Sequence, residues 1–352
     1  MQGALIFIIA SFAGYGLGFP VYGQLVRWNA LDYPNSRSSH DRPTARGAGV
    51  AIIITIFLVT LSLPEAWAAR QTLALLAAAL VLAGVSLVDD LKSVSAFWRL
   101  GCHAAAAITW LVTLGWPRIA GAGAPGFEWI DLIGGILLLF WLAGYTNAFN
   151  FMDGINGLAA GQAVVTGIGT GVIAALDTGS ASELPVLLSF LLAGAALGFL
   201  PHNFPRARMF MGDVGSAPLG FLLAALALWI VVEYGWQLAL PLFLLHANFV
   251  LDTAITLARR VLRGERWHEA HREHFYQRLV RAGKSHTFVT GLEMGLQAIV
   301  LALMVCYLFG GTAVRVCTAS LVLILWLSFF VYCEAAFRMS GDRKPHLWTP
   351  LE

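Results

Sequence analysis

Residues 185–232 read PVLLSFLLAGAALGFLPHNFPRARMFMGDVGSAPLGFLLAALALWIVV, and this stretch decides the fold class. It contains two uncharged apolar runs, 185–201 and 216–232, and roughly 17–25 such residues are enough to cross a bilayer. A short loop with two arginines and one aspartate separates the two runs. Gly194 and Gly198 have the spacing that lets helices approach closely in membrane bundles. The stretch therefore predicts two transmembrane helices joined by a polar loop.

The same pattern recurs along the whole chain of 352 residues, of which 58% are hydrophobic and only 12% are charged. A typical soluble domain is about one quarter charged, so lipid is the solvent that fits this composition. We predict an all-α, polytopic transmembrane helical bundle that forms one domain over residues 1–352. Its spans, about eleven, are predicted near 3–25, 48–64, 71–88, 101–116, 129–147, 158–176, 185–201, 216–232, 237–258, 287–309 and 313–336.

The basic residues set the predicted orientation, because Lys and Arg concentrate in cytoplasmic loops. With the N-terminus outside and the C-terminus inside, only Arg70, Arg118 and Arg315 of the 22 lysines and arginines fall in outer segments. No basic residue precedes the first apolar run and no small-residue cleavage pattern follows it, so we expect the first helix to be retained. The four cysteines have no CxxC spacing, which indicates neither a disulfide framework nor a zinc site.

Two adjacent carboxylates, Asp89 and Asp90, end the third predicted span. Acidic side chains oppose the macrodipole at a helix C-terminus, so the pair needs a partner there. Paired carboxylates suit a divalent cation, or one of them binds the metal while the other acts as a base. The alternative is a helix end that simply meets water.

A polar stretch follows the fifth predicted span. Asn147, Asn150, Asp153 and Asn156 recur every third residue, and a short helical turn would place them on one side. Nearby glycines permit a broken helix at membrane depth. An ordinary polar turn is the alternative, since Asn and Gly are common in turns.

Another inner loop leads directly into the span at 216–232. It contains Asp213 between Gly212 and Gly215. Glycine-rich backbone that enters a helix N-terminus binds phosphate well, and a carboxylate beside it suits Mg²⁺. Asp213 could equally serve only as the cap of the helix.

The longest predicted inner loop, about residues 259–286, is rich in Arg and His. His268, His271 and His274 would lie on one broad helical face together with Arg272. Such a face suits phosphate or pyrophosphate, and a helix lying on anionic lipid is the alternative. No further Cys/His pattern supports a zinc site.

Two further features of the sequence bear on function. Residues 121–126 match G-x-G-x-x-G, but no strand precedes them, Pro125 interrupts them and they lie in a predicted outer segment, which excludes a dinucleotide site. No nucleic-acid partner is expected. Asp252, about two turns before Arg259, is either the internal partner of another side chain or part of the functional site.

All four motif loops lie on the predicted cytoplasmic side. They offer carboxylates and amides for Mg²⁺ and Arg and His for phosphate, which fits phosphoryl transfer to or from a membrane-dissolved acceptor. A secondary transporter would instead place charges at the membrane midplane and show repeats. A polyprenyl-group transferase would carry two DDxxD-type motifs, whereas this chain has one pair of adjacent acids.

The motifs, in this order, resemble those of the polyprenyl-phosphate N-acetylhexosamine-1-phosphate transferases of glycosyltransferase family 4. The resemblance runs from about Arg37 to Arg281 and includes the first inner loop around Arg46-Gly47. It implies an enzyme that moves N-acetylhexosamine-1-phosphate from a UDP-sugar to undecaprenyl phosphate and releases UMP. The matching motifs are Asp89-Asp90, residues 150–154 (NFMDG), residues 210–216 (FMGDVGS) and the His/Arg loop.

The resemblance also implies roles for individual residues. Asp213 and Asn150 are expected to bind Mg²⁺, for which Mn²⁺ could substitute. Asp89 or Asp90 would activate the lipid phosphate or assist the metal, and Asp153 would position the nucleotide or the metal. Substrate contacts are expected from Lys92, Arg99, Asn147, Asn156, Asn203, His268, His271, Arg272 and His274.

Departures from the family pattern bear on the donor. Ser93 stands where the peptidoglycan-forming members carry a lysine, with Lys92 one place earlier, and Asn156 replaces a second aspartate. The final loop resembles the O-antigen-initiating branch more than the muramoyl one. We therefore expect UDP-GlcNAc or a deoxygenated donor such as UDP-FucNAc or UDP-QuiNAc, used in a bacterial inner membrane on its cytoplasmic side to initiate cell-surface polysaccharide synthesis. Whether the chain forms a homodimer stays open.

Overall fold

The computed structural model describes residues 1–34, 42–92, 94–116, 129–266 and 271–341, the side chains of residues 90–92 and 96 excepted. Over these described residues the chain is built from α-helices, with one 3₁₀ turn at Trp236–Leu238 and three short strands. The helices are α1 (Gln2–Arg27), α2 (Val50–Leu61), α3 (Pro64–Ala68), α4 (Arg70–Lys92), α5 (Ala96–Thr113), α6 (Trp129–Phe151), α7 (Leu158–Thr178), α8 (Leu184–Asn203), α9 (Asp213–Tyr234), α10 (Ala239–Leu244), α11 (Ala247–Leu262), α12 (Phe275–Arg281), α13 (His286–Phe309) and α14 (Thr312–Met339).

Ten of the eleven apolar segments predicted from the sequence each lie mainly within one helix, whereas the segment 237–258 is divided among the 3₁₀ turn, α10 and α11. The all-α polytopic membrane fold is confirmed. Among the described residues, eight helices are long and apolar enough to cross a bilayer, namely α1, α4, α6, α7, α8, α9, α13 and α14. The count rises to nine when residues 236–244 and α11, which meet at an angle of 67°, are taken together as one broken span. α2 has 12 residues, fewer than the about 20 that a span requires. The number of spans and their orientation therefore stay predictions.

The interior of the bundle forms around α9, whose most apolar stretch is entirely buried. It packs against α4 and α6. α8 packs against α1, where a side-chain carbon added at Gly194 or Gly198 would overlap the carbonyl oxygen of Phe7 or Ser11. The predicted close helix contact at these glycines is confirmed. Such contact favours association inside lipid because van der Waals packing, rather than exclusion of water, holds membrane helices together.

A small sheet, not predicted from the sequence, joins the first inner loop to the Asp213 loop. Its strands are β1 (Leu31–Asp32), β2 (Thr44–Arg46) and β3 (Met209–Phe210); β1 is antiparallel to β2, and β2 is parallel to β3. Strands of two or three residues show no periodicity, which explains why they escape sequence analysis.

Beyond the sheet, Gly49 continues the contact between these two loops. Its N–H donates to the Met211 carbonyl at 2.8 Å, and a side-chain carbon at Gly49 would overlap the Cα of Gly215. The sheet and this contact together bring Arg46 to the start of α9.

Candidate active site

Arg99 holds two of the predicted catalytic carboxylates together. Its Nη1 lies 2.5 Å from Asp89 Oδ2 and 3.7 Å from Asp213 Oδ2. The other oxygen of Asp89 accepts a hydrogen bond from the Val94 N–H at 2.6 Å. The end of α4, the first turn of α5 and the start of α9 therefore meet at one point, and the partner that the Asp89 carboxylate requires is Arg99.

Arg46 adds a second guanidinium to this cluster. Its Nη2 lies 3.2 Å from Asp213 Oδ1, because the β2–β3 pairing sets Arg46 opposite Phe210. The Asp213 side chain is 22% exposed and the Arg46 side chain 42%, so a dissolved ligand can reach both. In the sequence Arg46 lies in a loop that resembles the family's, and no local pattern gives it a role. Only the sheet, which the sequence did not predict, shows that it reaches the site.

The predicted magnesium ligands lie on neighbouring helix ends. Asn150 Nδ2 donates to the Ser216 hydroxyl at 3.0 Å, and Ser216 lies in the first turn of α9, three residues after Asp213. The described residues contain no group of three or more Asp, Glu, His or Cys side chains arranged for a metal. Mg²⁺ is commonly held by one or two carboxylates together with water and substrate phosphates. The carboxylates of Asp89 and Asp213 and the amide oxygen of Asn150 are oxygen ligands of the kind that suits Mg²⁺.

Asn147 and Asp153 lie on either side of Asn150. Asn147 is on α6, one turn before Asn150, and is partly buried. Asp153 follows the end of α6 and is partly buried. The predicted recurrence on one side of a helical turn therefore holds for Asn147 and Asn150, whereas Asp153 lies beyond the helix end.

Asn203 and Asn156 hold backbone in place. Asn203 is buried; its Oδ1 accepts from the Gly157 N–H at 2.6 Å and its Nδ2 donates to the Met209 carbonyl at 2.9 Å. Asn156 Nδ2 donates to the Pro205 carbonyl at 3.1 Å. These bonds fix the turn between α6 and α7 against the segment between α8 and β3. Substrate contact by the two asparagines stays a prediction.

The described end of the His/Arg loop packs against the end of α6. The Tyr276 hydroxyl donates to the Phe151 carbonyl at 3.0 Å, and the His274 ring centroid lies 6.0 Å from that of Phe151 and 5.0 Å from that of His271. His274 is buried, with Nδ1 2.8 Å from Asp252 Oδ1. The His/Arg loop thus contacts the Asn150 motif at the end of α6, and the question left open for Asp252 is answered by its partnership with His274.

The predicted helical face through His271 and His274 is wrong, because both residues precede α12. That helix begins at Phe275, whose N–H donates to Asp252 Oδ2 at 2.9 Å. A carboxylate that accepts the first helical N–H stabilises a helix start at that residue. The residue that fixes the start of α12 is therefore Asp252, which lies 23 residues earlier in the sequence.

His271 and Arg272 have different electrostatic character. Burial, followed by the neighbouring charges of His274 and Arg260, lowers the pKa of His271 from about 6.5 to about 4, so the ring is neutral at pH 7. Burial and the charge of Arg281 also lower the pKa of Arg272, but arginine stays cationic in proteins. Arg272 therefore carries positive charge in this loop, while His271 offers neutral hydrogen bonds.

For three predicted site residues, Asp90, Lys92 and His268, the structure describes no side chain. His268 lies outside the described residues. For Asp90 and Lys92 the described part is the backbone, which forms the last turn of α4. The roles predicted for these three residues stay predictions.

Comparisons with known proteins agree with the motif order. Residues 72–231 match Glycosyl transferase family 4. The chain is 32% identical over 311 residues to decaprenyl-phosphate N-acetylglucosaminephosphotransferase of Mycobacterium tuberculosis (strain ATCC 25618 / H37Rv), which covers 80% of this chain and 77% of the relative.

Two other relatives cover different shares of the chain. A probable undecaprenyl-phosphate N-acetylglucosaminyl 1-phosphate transferase of Bacillus subtilis (strain 168) is 28% identical over 312 residues, 87% of this chain and 81% of the relative. A phospho-N-acetylmuramoyl-pentapeptide-transferase of Synechococcus sp. (strain JA-2-3B'a(2-13)) is 41% identical over 155 residues, 42% of each chain.

Proposed function

The chain belongs to the polyprenyl-phosphate N-acetylhexosamine phosphotransferases of glycosyl transferase family 4, and from that premise we propose that it transfers N-acetylhexosamine-1-phosphate from a UDP-sugar to undecaprenyl phosphate. It is a multi-pass membrane transferase, as its helices and its relatives indicate. The observation that carries the proposal is the cluster in which Arg99 bridges Asp89 and Asp213. UMP is the second product.

The proposed reaction exchanges one phosphorus–oxygen bond for another. An oxygen of the lipid phosphate bonds to the phosphorus that carries the sugar, and the bond from that phosphorus to the UMP oxygen breaks. The lipid phosphate is already an anion, so the reaction requires positioning and charge neutralisation more than a strong base. Arg46 and Arg99 can donate to phosphate oxygens, and they lie where two anions would have to meet.

Mg²⁺ dependence is part of the proposal. Asp213, Asp89 and Asn150 offer oxygen ligands of the kind that Mg²⁺ prefers, and water and pyrophosphate oxygens would complete its coordination. Bound there, the ion would neutralise charge that develops on the transferred phosphate. Mn²⁺ prefers similar ligands and should substitute. Asp153 is proposed to position the nucleotide, while Asp89 or Asp90 orients the lipid phosphate.

The proposed donor is UDP-GlcNAc or a deoxygenated UDP-N-acetylhexosamine. Relatives named for N-acetylglucosamine cover 80% and 87% of the chain, whereas the muramoyl-pentapeptide relative covers 42%. Ser93 and Asn156, which depart from the family pattern, favour the same choice. We place the reaction at the cytoplasmic side of a bacterial inner membrane, where it would initiate O-antigen or another cell-surface polysaccharide.

The test uses purified full-length protein with Mg²⁺, undecaprenyl phosphate and a panel of UDP-N-acetylhexosamines. We expect UMP release, with the lipid-linked sugar pyrophosphate identified by mass spectrometry. Asp213→Ala and Asp90→Ala should abolish turnover without loss of expression, whereas Asp177→Asn, at an exposed position at the end of α7, should retain it. Absence of lipid-linked product with every donor, or full turnover in both catalytic variants, would overturn the proposal.

A further inference from the structure

Asp252, on α11, is a buried carboxylate that the proposed chemistry does not use. It is 1% exposed, and a buried carboxylate is costly unless hydrogen-bonded. Oδ1 accepts from the Thr256 hydroxyl at 3.1 Å and lies 2.8 Å from His274 Nδ1, while Oδ2 accepts from the Phe275 N–H at 2.9 Å. One side chain thus fixes both the histidine before α12 and the first N–H of that helix.

The start of α12 is the part of the His/Arg loop that reaches the active site. Tyr276, its second residue, donates to the Phe151 carbonyl at 3.0 Å, one residue after Asn150. Gln277 reinforces the helix start, since its Oε1 accepts from the His274 N–H at 3.3 Å and its Nε2 donates to the Tyr276 hydroxyl at 3.1 Å. A shift of α12 would therefore move the end of α6 as well.

The position of α11 is itself fixed by buried amides at the break after α10. The Leu245 carbonyl, which lies in that break, accepts from Gln297 Nε2 at 2.6 Å and from Gln162 Nε2 at 3.1 Å. Asn248 Nδ2 donates to Gln162 Oε1 at 2.9 Å. Side chains from α7 and α13 thus satisfy backbone that the broken helix leaves open. Asp252 lies one turn beyond Asn248, on the part of α11 held by this network.

We propose that Asp252 is a positioning residue for the donor-binding end of the active site. Through His274 and the start of α12 it fixes the segment that carries His271 and Arg272, and it does so without touching substrate. The inference rests on the proposed function, in which that segment binds the pyrophosphate and sugar of the donor. Removing the charge of the Asp252 carboxylate should raise the KM for the UDP-sugar and leave the KM for the lipid acceptor nearly unchanged.

The principal variant is Asp252→Asn, which keeps an oxygen for the Phe275 N–H and removes the charge facing His274. We expect the KM for UDP-GlcNAc to rise about 10- to 100-fold, the scale of a small displacement of a positioned group. The KM for undecaprenyl phosphate should stay within about twofold. His274→Gln should give a similar change, and the double variant should add little to either single one, because the two residues act as a unit.

The matched control is Thr253→Val, at the next position on α11. Thr253 is 7% exposed, and its hydroxyl has no hydrogen-bond partner among the residues that the structure describes. Valine is similar in size to threonine, so the change removes the buried hydroxyl without disturbing the Asp252 contacts. Both KM values should therefore match those of the wild type. Hydrogen exchange over residues 271–281 should be faster in Asp252→Asn and unchanged in Thr253→Val.

Each outcome decides the inference. An unchanged donor KM together with unchanged exchange, or an equal rise of both KM values, would overturn it. If Asp252→Asn does not fold, His274→Gln answers the same question, because the carboxylate keeps its bonds to Phe275 and Thr256. If the wild type turns over no UDP-sugar, the proposed function fails, and the exchange comparison alone decides whether Asp252 fixes the segment.

Discussion

Replacement of Arg99 by glutamine should lower turnover and at the same time lower the Mg²⁺ concentration that the enzyme requires. The guanidinium is shared between Asp89 at 2.5 Å and Asp213 at 3.7 Å. In the variant Asp89 loses its arginine partner and Asp213 keeps only Arg46. Carboxylates with less counter-charge attract a divalent cation more strongly. The same change removes a donor that the phosphate oxygens would use. The two effects have opposite signs, which distinguishes a catalytic arginine from a merely structural one.

The magnitude follows from the contacts. A hydrogen bond to a charged group contributes about 1.5–3 kcal/mol, which corresponds to roughly a 10- to 150-fold loss of kcat/KM. The Arg99 side chain is 35% exposed, so solvent partly screens the pair, whereas the Asp89 side chain is 10% exposed. We therefore expect the free energy of unfolding to fall by about 1 kcal/mol, between the values of exposed and buried ion pairs.

The assay is the initial rate of UMP release at donor concentrations below and above KM, repeated over a range of Mg²⁺ concentrations, with thermal unfolding in detergent measured in parallel. Arg206→Gln is the matched control, because Arg206 is an exposed arginine in the Asp213 loop and forms no ion pair with any described residue. It should behave as the wild type. The reasoning is refuted if Arg99→Gln keeps its turnover, or if its Mg²⁺ requirement rises together with the loss of rate.

Two further predictions concern stability. Asn203→Ala leaves the Gly157 N–H and the Met209 carbonyl without a buried partner, at about 1–3 kcal/mol each, so its unfolding midpoint should fall clearly below that of the wild type; an unchanged midpoint would contradict the assigned hydrogen bonds. The native pKa of His271, about 4, lies below its unfolded value near 6.5, so the unfolded chain binds more protons in that window. Stability should therefore fall as the pH drops from 6.5 towards 4, and less steeply in His271→Gln; equal slopes in thermal melts would contradict the assigned environment.

The sequence predicts those features that depend on local pattern. Apolar runs become helices because each run can satisfy its backbone only internally in lipid, and Gly194 and Gly198 become contact points because they lack side chains. The meeting of Asp89 with Asp213 was predicted indirectly, from the placement of both loops on one side. The distribution of basic residues indicates on which side of the membrane a loop lies. That side can therefore be predicted without knowing which residues contact one another.

The features that escaped prediction depend on partners distant in sequence. The break between α10 and α11 is stabilised by donors to Leu245 from Gln162 and Gln297, 83 and 52 residues away. His274 was expected to contact substrate, but Asp252, 22 residues away, draws it into the interior. No local pattern reports such partners, because a polar side chain within an apolar run does not indicate which distant group it will contact.

The charge of the cluster gives a reason why the proposed metal and donor would bind together. Asp89, Asp213, Arg46 and Arg99 sum to no formal net charge. A UDP-sugar brings a dianionic pyrophosphate and Mg²⁺ brings a compensating divalent charge, so the pair adds no net charge beside a low-dielectric bundle, whereas either alone leaves a charge that is costly to hold there. A metal bound to the carboxylates, as proposed, would weaken their ion pairs with Arg46 and Arg99, and guanidinium groups with five N–H donors each could then donate to phosphate oxygens.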